Sequence, residues 1–186
     1  PVVVCTGYAG TGKTFVAAKL AARMFAQREI DQIILTRPNV SAGKGIGFFP
    51  GTLEEKMDPW MRPLVSRLKA DLGGAYESGV RKGNIKVEPF ETMRGASYDG
   101  FVILDEAQNT TPEEMKMFLT RYEGGRVVIN GDIKQSDLKA DSGLLTVLKM
   151  IQKQSLPVPH IEFTVDDIVR SDIVADLVRM FIREKI

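Results

Sequence analysis

The sequence predicts an α/β fold, a parallel sheet with helices on both faces, on three observations. Short β-branched runs alternate with amphipathic helical patterns. One run, "FVILD" at 101–105, is apolar up to its closing aspartate, as in a strand buried on both faces. A Gly-rich loop, "GYAGTGKT" (Gly7–Thr14), then joins the first strand to the first helix, where such sheets hold phosphates.

In chain order, "PVVVC" (1–5) is the first strand, and "TFVAAKLAARMFAQ" carries a helix to about Gln27. "QIILT" (32–36) is the second strand. Residues 37–100 form a long excursion before the third strand, rich in Gly and Pro but too apolar for a linker. Within it, Thr52 and Glu55 suggest a capped helix that bends or ends near Pro59 and Pro63. Trp60 and Phe48-Phe49 read as packing residues there. "FVILD" is the third strand, and "TPEEMKMFLTRY" follows as a helix with Thr111 as N-cap, Pro112 at its first position and Glu114 closing a capping box. "RVVIN" (126–130) and "HIEFT" (160–164) are strands four and five; Cys5 and His160 read as packing residues in theirs. "SGLLTVLKMIQKQ" and "SDIVADLVRMFIREKI" are two further amphipathic helices.

Bulk properties narrow the function. A chain of 186 residues, 44% hydrophobic, suits one domain with a proper core. Its 25 basic and 24 acidic residues leave a net charge of +1, so there is no gross nucleic-acid footprint, although a local patch fits. One Cys and one His build neither a disulfide framework nor a zinc site within the chain. That usage suits a reducing, cytoplasmic compartment. No apolar run approaches the ~20 residues that span a bilayer, and no signal peptide is apparent. The chain starts at Pro1 directly in a strand, which implies residues upstream, where base recognition could lie.

The spacing G-x-x-x-x-G-K-T assigns each loop residue a task. Gly7, Gly10 and Gly12 free the backbone so that its N–H groups, with those of Tyr8, Ala9 and Thr11, form an anion nest at a helix N-terminus. Lys13 reaches the β- and γ-phosphates, and the Thr14 hydroxyl binds Mg²⁺. The second half of the site is the end of "FVILD": Asp105 holds Mg²⁺ through water, and Glu106 orients and deprotonates the attacking water. After the fourth strand, "NGDIKQSD" places Gln135 where a neutral amide senses the γ-phosphate. Arg170 is a candidate mobile cation for that phosphate; its competing reading is a surface arginine paired with Asp166 or Asp167. Arg37 could contact a nucleic-acid phosphate or pair with an acid, and Arg94 could serve nucleotide or partner.

"GYAGTGKT", "ILTRPNVSAGKGIGFFPGTLEEKMDPWMRP", "ETMRG", "FVILDEAQNTT", "NGDIKQSDL" and "DDIVRS" resemble, in order, segments of the PhoH-like family, phosphate-starvation-inducible ATPases similar to the RecA-like core of superfamily 1 helicases. The resemblance implies ATP and Mg²⁺ as cofactors, with Lys13, Thr14, Asp105, Glu106, Gln135 and Arg170 in the roles above. It also implies a homo-oligomeric ring, a hexamer, and coupling of hydrolysis to single-stranded RNA. Arg37, Lys44 and the basic turn "SGVRKGNIK" (Arg81, Lys82, Lys86) are the candidate RNA contacts. The alternatives are an ATP-dependent switch acting on a protein partner and, less favoured, a small-molecule kinase. The first two differ in whether RNA stimulates turnover.

Overall fold

A computed structural model describes residues 1–38, 53–95, 97–136 and 142–184; within these, only the backbone of residues 53–58, Arg94 and Asp172 is described. The elements run β1 (Val2–Gly7), α1 (Lys13–Ala26), β2 (Ile33–Thr36), α2 (Leu53–Leu72), α3 (Gly74–Arg81), β3 (Ile85–Val87), β4 (Phe101–Leu104), α4 (Pro112–Thr120), β5 (Arg126–Gly131), α5 (Gly143–Gln154), β6 (His160–Phe163) and α6 (Asp172–Glu184). The strands form one six-stranded sheet in the order β3-β2-β4-β5-β1-β6. Every pairing is parallel. This is the expected α/β architecture.

The central strands need two apolar faces, and their alternation supplies both. Ile33, Leu35, Phe101, Ile103 and Val128 join a core with α1 and α2. Ile34, Val102, Leu104, Val127 and Ile129 join the opposite core, with Phe90, Met115, Phe118 and Leu144. Helix α1 presents four buried alanines, Ala17, Ala18, Ala21 and Ala22, which let it lie close on the sheet. Close seating matters because the first turn of α1 carries Lys13 and Thr14.

Four expectations need correction. The sheet has six strands where five were predicted, because β3 lies inside the excursion and pairs with β2, Ile85 opposite Ile33. Helix α2 does not stop at its prolines; it includes Pro59 and Pro63 and continues to Leu72. A proline inside a helix costs about 3 kcal/mol. Burial offsets that cost: Met61, Leu64 and Leu68 repeat at helical spacing and are all nearly inaccessible. Trp60 is half-exposed rather than packed. His160 is exposed too, its Nε2 2.7 Å from the Thr6 hydroxyl, whereas Cys5 is buried as expected. The proposed cap at Thr52 and Glu55, and Phe48-Phe49, lie outside the described residues or side chains. The Thr111 capping box forms as read, with Pro112 opening α4. Among the described residues no helix is long and apolar enough to cross a membrane.

Candidate active site

The loop after β1, the carboxylates after β4 and the turn after β5 meet at the C-terminal edge of the sheet, where open parallel sheets bind ligands. A cavity of about 720 Å³ opens there. It brings together Ala9, Gly10, Gly12, Lys13, Thr14, Asp105, Glu106, Gln135 and Arg170 of the predicted set. Gly7, Tyr8 and Thr11 support it from behind. Gly7 has φ +144°, and a Cβ there would lie 2.4 Å from the Phe163 carbonyl oxygen, so β6 can lie against the loop only if this residue is glycine. Thr11 is buried and its hydroxyl donates to the Tyr8 carbonyl at 2.8 Å. The Tyr8 hydroxyl is bonded to the Lys134 ammonium, which also lies 4.5 Å over the tyrosine ring. Tyr8 thus straps the loop to the turn after β5.

The Lys13 ammonium donates to the Gly7 and Tyr8 carbonyls at 2.6 and 2.8 Å. Burial pulls its pKa below the ordinary lysine value, and the facing carboxylates of Asp132, Glu106 and Asp105 work against that shift. The Thr14 hydroxyl donates to Asp105 Oδ1 at 2.9 Å, joining positions 91 residues apart. Asp105 is 8% exposed. Burial, then the neighbouring Glu106 charge, raises its pKa; the Thr14 hydroxyl and the Arg37 charge hold the rise back. An isolated carboxylate in such a place is penalised for its charge, and a cation relieves that.

The residues fit a magnesium ion. Around Asp105, the Thr36 hydroxyl, both amide atoms of Asn130 and Asp132 Oδ2 are buried without a hydrogen-bond partner among the described residues. Thr36 ends the strand on one side of β4 and Asn130 lies in the strand on the other. Unpaired polar atoms beside one hydroxyl and one carboxylate suit a hydrated ion that keeps several waters. Among the described residues no cluster of three or more His, Cys, Asp or Glu offers a protein-only cage.

Glu106 is held in left-handed backbone geometry, φ 54° and ψ 38°. That conformation costs a non-glycine residue roughly 1–2 kcal/mol and is concentrated at functional sites. Its Oε2 accepts from Gln108 Nε2 at 2.5 Å, and its Oε1 lies 4.0 Å from the Arg37 guanidinium. Gln108 is almost fully buried, and its Oε1 accepts from the Asp132 backbone N–H at 3.0 Å. The one amide therefore ties Glu106 to the turn after β5. Sequence reasoning passed over Gln108; an amide two positions after a carboxylate, in a stretch otherwise bound for the core, was the available signal. Gln135 is exposed at the cavity, one turn past Asp132, whose carbonyl accepts its backbone N–H at 3.1 Å.

The loop after β6 closes one side. The Val169 backbone N–H donates to the Gly10 carbonyl at 3.0 Å, and the Arg170 guanidinium lies 3.4 Å from where a Gly10 Cβ would stand. Arg170 therefore rests against the phosphate loop of its own chain. Asp167, one of its proposed surface partners, instead accepts from Thr164 as the cap of a short turn. Arg37 takes the acid-pair reading, through Glu106. Arg81 and Lys82 are exposed, but they precede β3 and so lie at the opposite edge of the sheet. Lys44 and the Arg94 side chain lie outside what is described.

A family model described as PhoH-like protein matches residues 1–182. A PhoH-like protein of Bacillus subtilis (strain 168) is 44% identical over 179 residues, 94% of this chain and 56% of the relative. Protein PhoH of Escherichia coli (strain K12) is 40% identical over 176 residues, 91% of this chain and 49% of the relative. The chain thus spans about half the length of the curated relatives it matches. Among solved structures, the large terminase of a thermophilic bacteriophage superposes with a TM-score of 0.58 at 12% identity, over 95% of this chain and 44% of the terminase, a likeness of fold.

Proposed function

The chain belongs to the PhoH-like family, and from that premise we propose that its cavity binds ATP with Mg²⁺ and hydrolyses the terminal phosphate. The observation that carries this reading is the Thr14–Asp105 bond. It joins the phosphate loop to a buried carboxylate, with a strained Glu106 beside it.

In this reading the loop N–H groups and the N-terminus of α1 bind the phosphates, and Lys13 leaves its loop carbonyls for the β- and γ-oxygens. Thr14 and Asp105 hold Mg²⁺, whose role is to neutralise charge on those oxygens. Glu106 takes the proton from the attacking water at Oε1, the oxygen Gln108 leaves free. Gln135 contacts the γ-phosphate or that water. Arg170 stabilises the developing charge from within the same chain.

Steady-state turnover of Mg-ATP, with nucleotide affinity measured separately, tests the assignment. Lys13→Ala should weaken binding about 10–100-fold, the worth of charged hydrogen bonds to phosphate. Glu106→Gln should keep binding and lower turnover by about 10²-fold or more. A Glu106→Gln protein turning over at the wild-type rate refutes the role given to that residue.

Coupling to single-stranded RNA and ring assembly extend this reading. Salt-dependent stimulation of turnover by RNA supports the coupling. The apolar residues exposed on α6, such as Ile173, Leu177 and Phe181, favour as the second reading a switch that acts on a protein. Turnover indifferent to RNA at low salt decides for it.

A further inference from the structure

Glu106 needs one oxygen free and correctly aimed. Gln108 takes Oε2. What faces Oε1 is Arg37, the first residue after β2, at 4.0 Å. That distance is too long for a hydrogen bond and short enough for strong attraction between partly buried charges. The guanidinium therefore orients Oε1 without covering the lone pairs that a water would use.

Arg37 is itself held. Its guanidinium lies 5.5 Å over the Trp60 ring, and its NH1 donates to the Trp60 carbonyl at 3.3 Å. Both contacts come from α2. Only 19% of the Arg37 side chain is exposed, although it stands at the open edge of the sheet. Among the described residues, a chain of contacts thus runs from α2, through Arg37, to the Glu106 oxygen that Gln108 does not bind.

We propose that Arg37 is a positioning residue for Glu106, and that Trp60 of α2 holds Arg37 in place for that task. The proposal rests on the ATPase reading above and adds residues it did not use. Arg37 lines the same cavity, but its task in this proposal is performed through Glu106: it limits the rotamers of that side chain so that Oε1 faces the cavity. Its loss therefore lowers turnover and leaves nucleotide affinity alone. The α2 helix, which belongs to the excursion between the second and fourth strands, thereby becomes part of the hydrolytic apparatus.

The test compares kcat, KM and the affinity for a non-hydrolysable Mg-ATP analogue across Arg37→Ala, Arg37→Lys, Trp60→Ala and Trp60→Phe. Each variant's melting temperature separates folding from function. Arg37→Ala should lower kcat about tenfold, a fraction of the full general-base contribution, with affinity within about twofold of wild type. Arg37→Lys keeps the charge and should recover part of the loss. Trp60→Ala should lower kcat in the same direction by less, and Trp60→Phe, which keeps a ring face, should stay near wild type. Unchanged kcat in Arg37→Ala overturns the proposal alone. So does an affinity loss that matches the loss of kcat, since Arg37 would then touch the nucleotide. A wild-type chain that binds the analogue but shows no turnover removes the ATPase reading, and this proposal with it.

Discussion

Strands β4 and β6 are both four residues long and both pair in parallel within one sheet, β4 between β2 and β5 and β6 at the edge against β1, yet they are opposites. All four residues of β4 are buried, whereas His160, Ile161 and Glu162 of β6 are exposed. Helix α6, next in the chain, repeats the contrast. Its apolar residues Ile173, Leu177, Met180 and Phe181 fall at helical spacing, and each is 49–69% exposed. The active site draws on both regions. Asp105 and Glu106 follow β4 and inherit the rigidity of two packed cores. Arg170 follows β6 and is placed by lighter means: the Val169–Gly10 backbone bond and the buried Ile168. Asp105 and Glu106 are thus fixed by the core, and Arg170 is set at a lightly covered edge.

The largest effect should come where the two regions touch. Gly7→Ala places a Cβ 2.4 Å from the Phe163 carbonyl at a backbone angle that L-residues rarely adopt. Backbone strain and overpacking together should cost about 3 kcal/mol or more. The β1–β6 pairing and the phosphate loop should both suffer, seen as a lowered urea midpoint and lost nucleotide binding. A variant of normal stability would show that β6 is free to move away, making the edge looser than the contrast holds.

The strands themselves can be compared directly. Ile103→Ala leaves a cavity beneath α1 and α2 and should cost about 2–5 kcal/mol. Ile161→Ala removes a half-exposed side chain and should cost under about 1 kcal/mol. Urea unfolding of both variants measures the gap. Equal losses would mean that β6 is covered in the working protein.

The legibility of the sequence follows the same division. "FVILD" and "GYAGTGKT" were readable because their signals are local: a continuous apolar run, and glycines at fixed offsets from Lys13. Strand β3 was missed because it is three residues long, with only Ile85 buried, so no period of two can register. The prolines of α2 misled because propensity is local, while the buried stripe of Met61, Leu64 and Leu68 that overrides it depends on a sheet distant in sequence. Gln108 and Trp60 owe their meaning to Glu106 and Arg37. Trp60 meets Arg37 only when α2 lies over the end of β2, and Gln108 binds the Asp132 N–H only when β4 and β5 pair; spacing carries no trace of either contact.

A smaller effect sharpens the buried side of the comparison. Asp105 has a raised pKa, chiefly through burial, so the folded chain is penalised for ionising it. Without metal, stability is therefore lost as pH rises from the ordinary carboxylate value towards the raised one, and the loss is complete above it. At neutral pH, Asp105→Asn keeps an acceptor for Thr14 and removes the charge. It should stabilise the metal-free chain by on the order of 1 kcal/mol, a rise of about 2–4 °C in Tm, while abolishing Mg²⁺-dependent turnover. Mg²⁺ affinity of the wild type should fall as pH drops through the raised value, well before an ordinary carboxylate would protonate. A destabilised Asp105→Asn chain would mean that the carboxylate is needed for the fold as well as the ion.

The smallest expected effect bears on the exposed side. Ile173 is 69% exposed on α6, so Ile173→Ser removes little buried apolar area. In an isolated chain it should change stability by less than about 0.5 kcal/mol, within the range of ordinary surface substitutions. Nucleotide binding should not change either, since the phosphate loop and both carboxylates lie on other elements. The informative deviation is concentration-dependent. A surface that associates with another copy gains stability with protein concentration by mass action, and one that stays bare does not. Melting temperatures of wild type and Ile173→Ser, measured across a hundredfold range of concentration, separate the two cases. If both are flat and equal, β6 and α6 form a bare edge and the contrast with β4 belongs to the molecule itself. If the wild type rises with concentration and Ile173→Ser does not, the exposed stripe is a contact surface, and Arg170 is placed by what docks there as well as by its bond to Gly10.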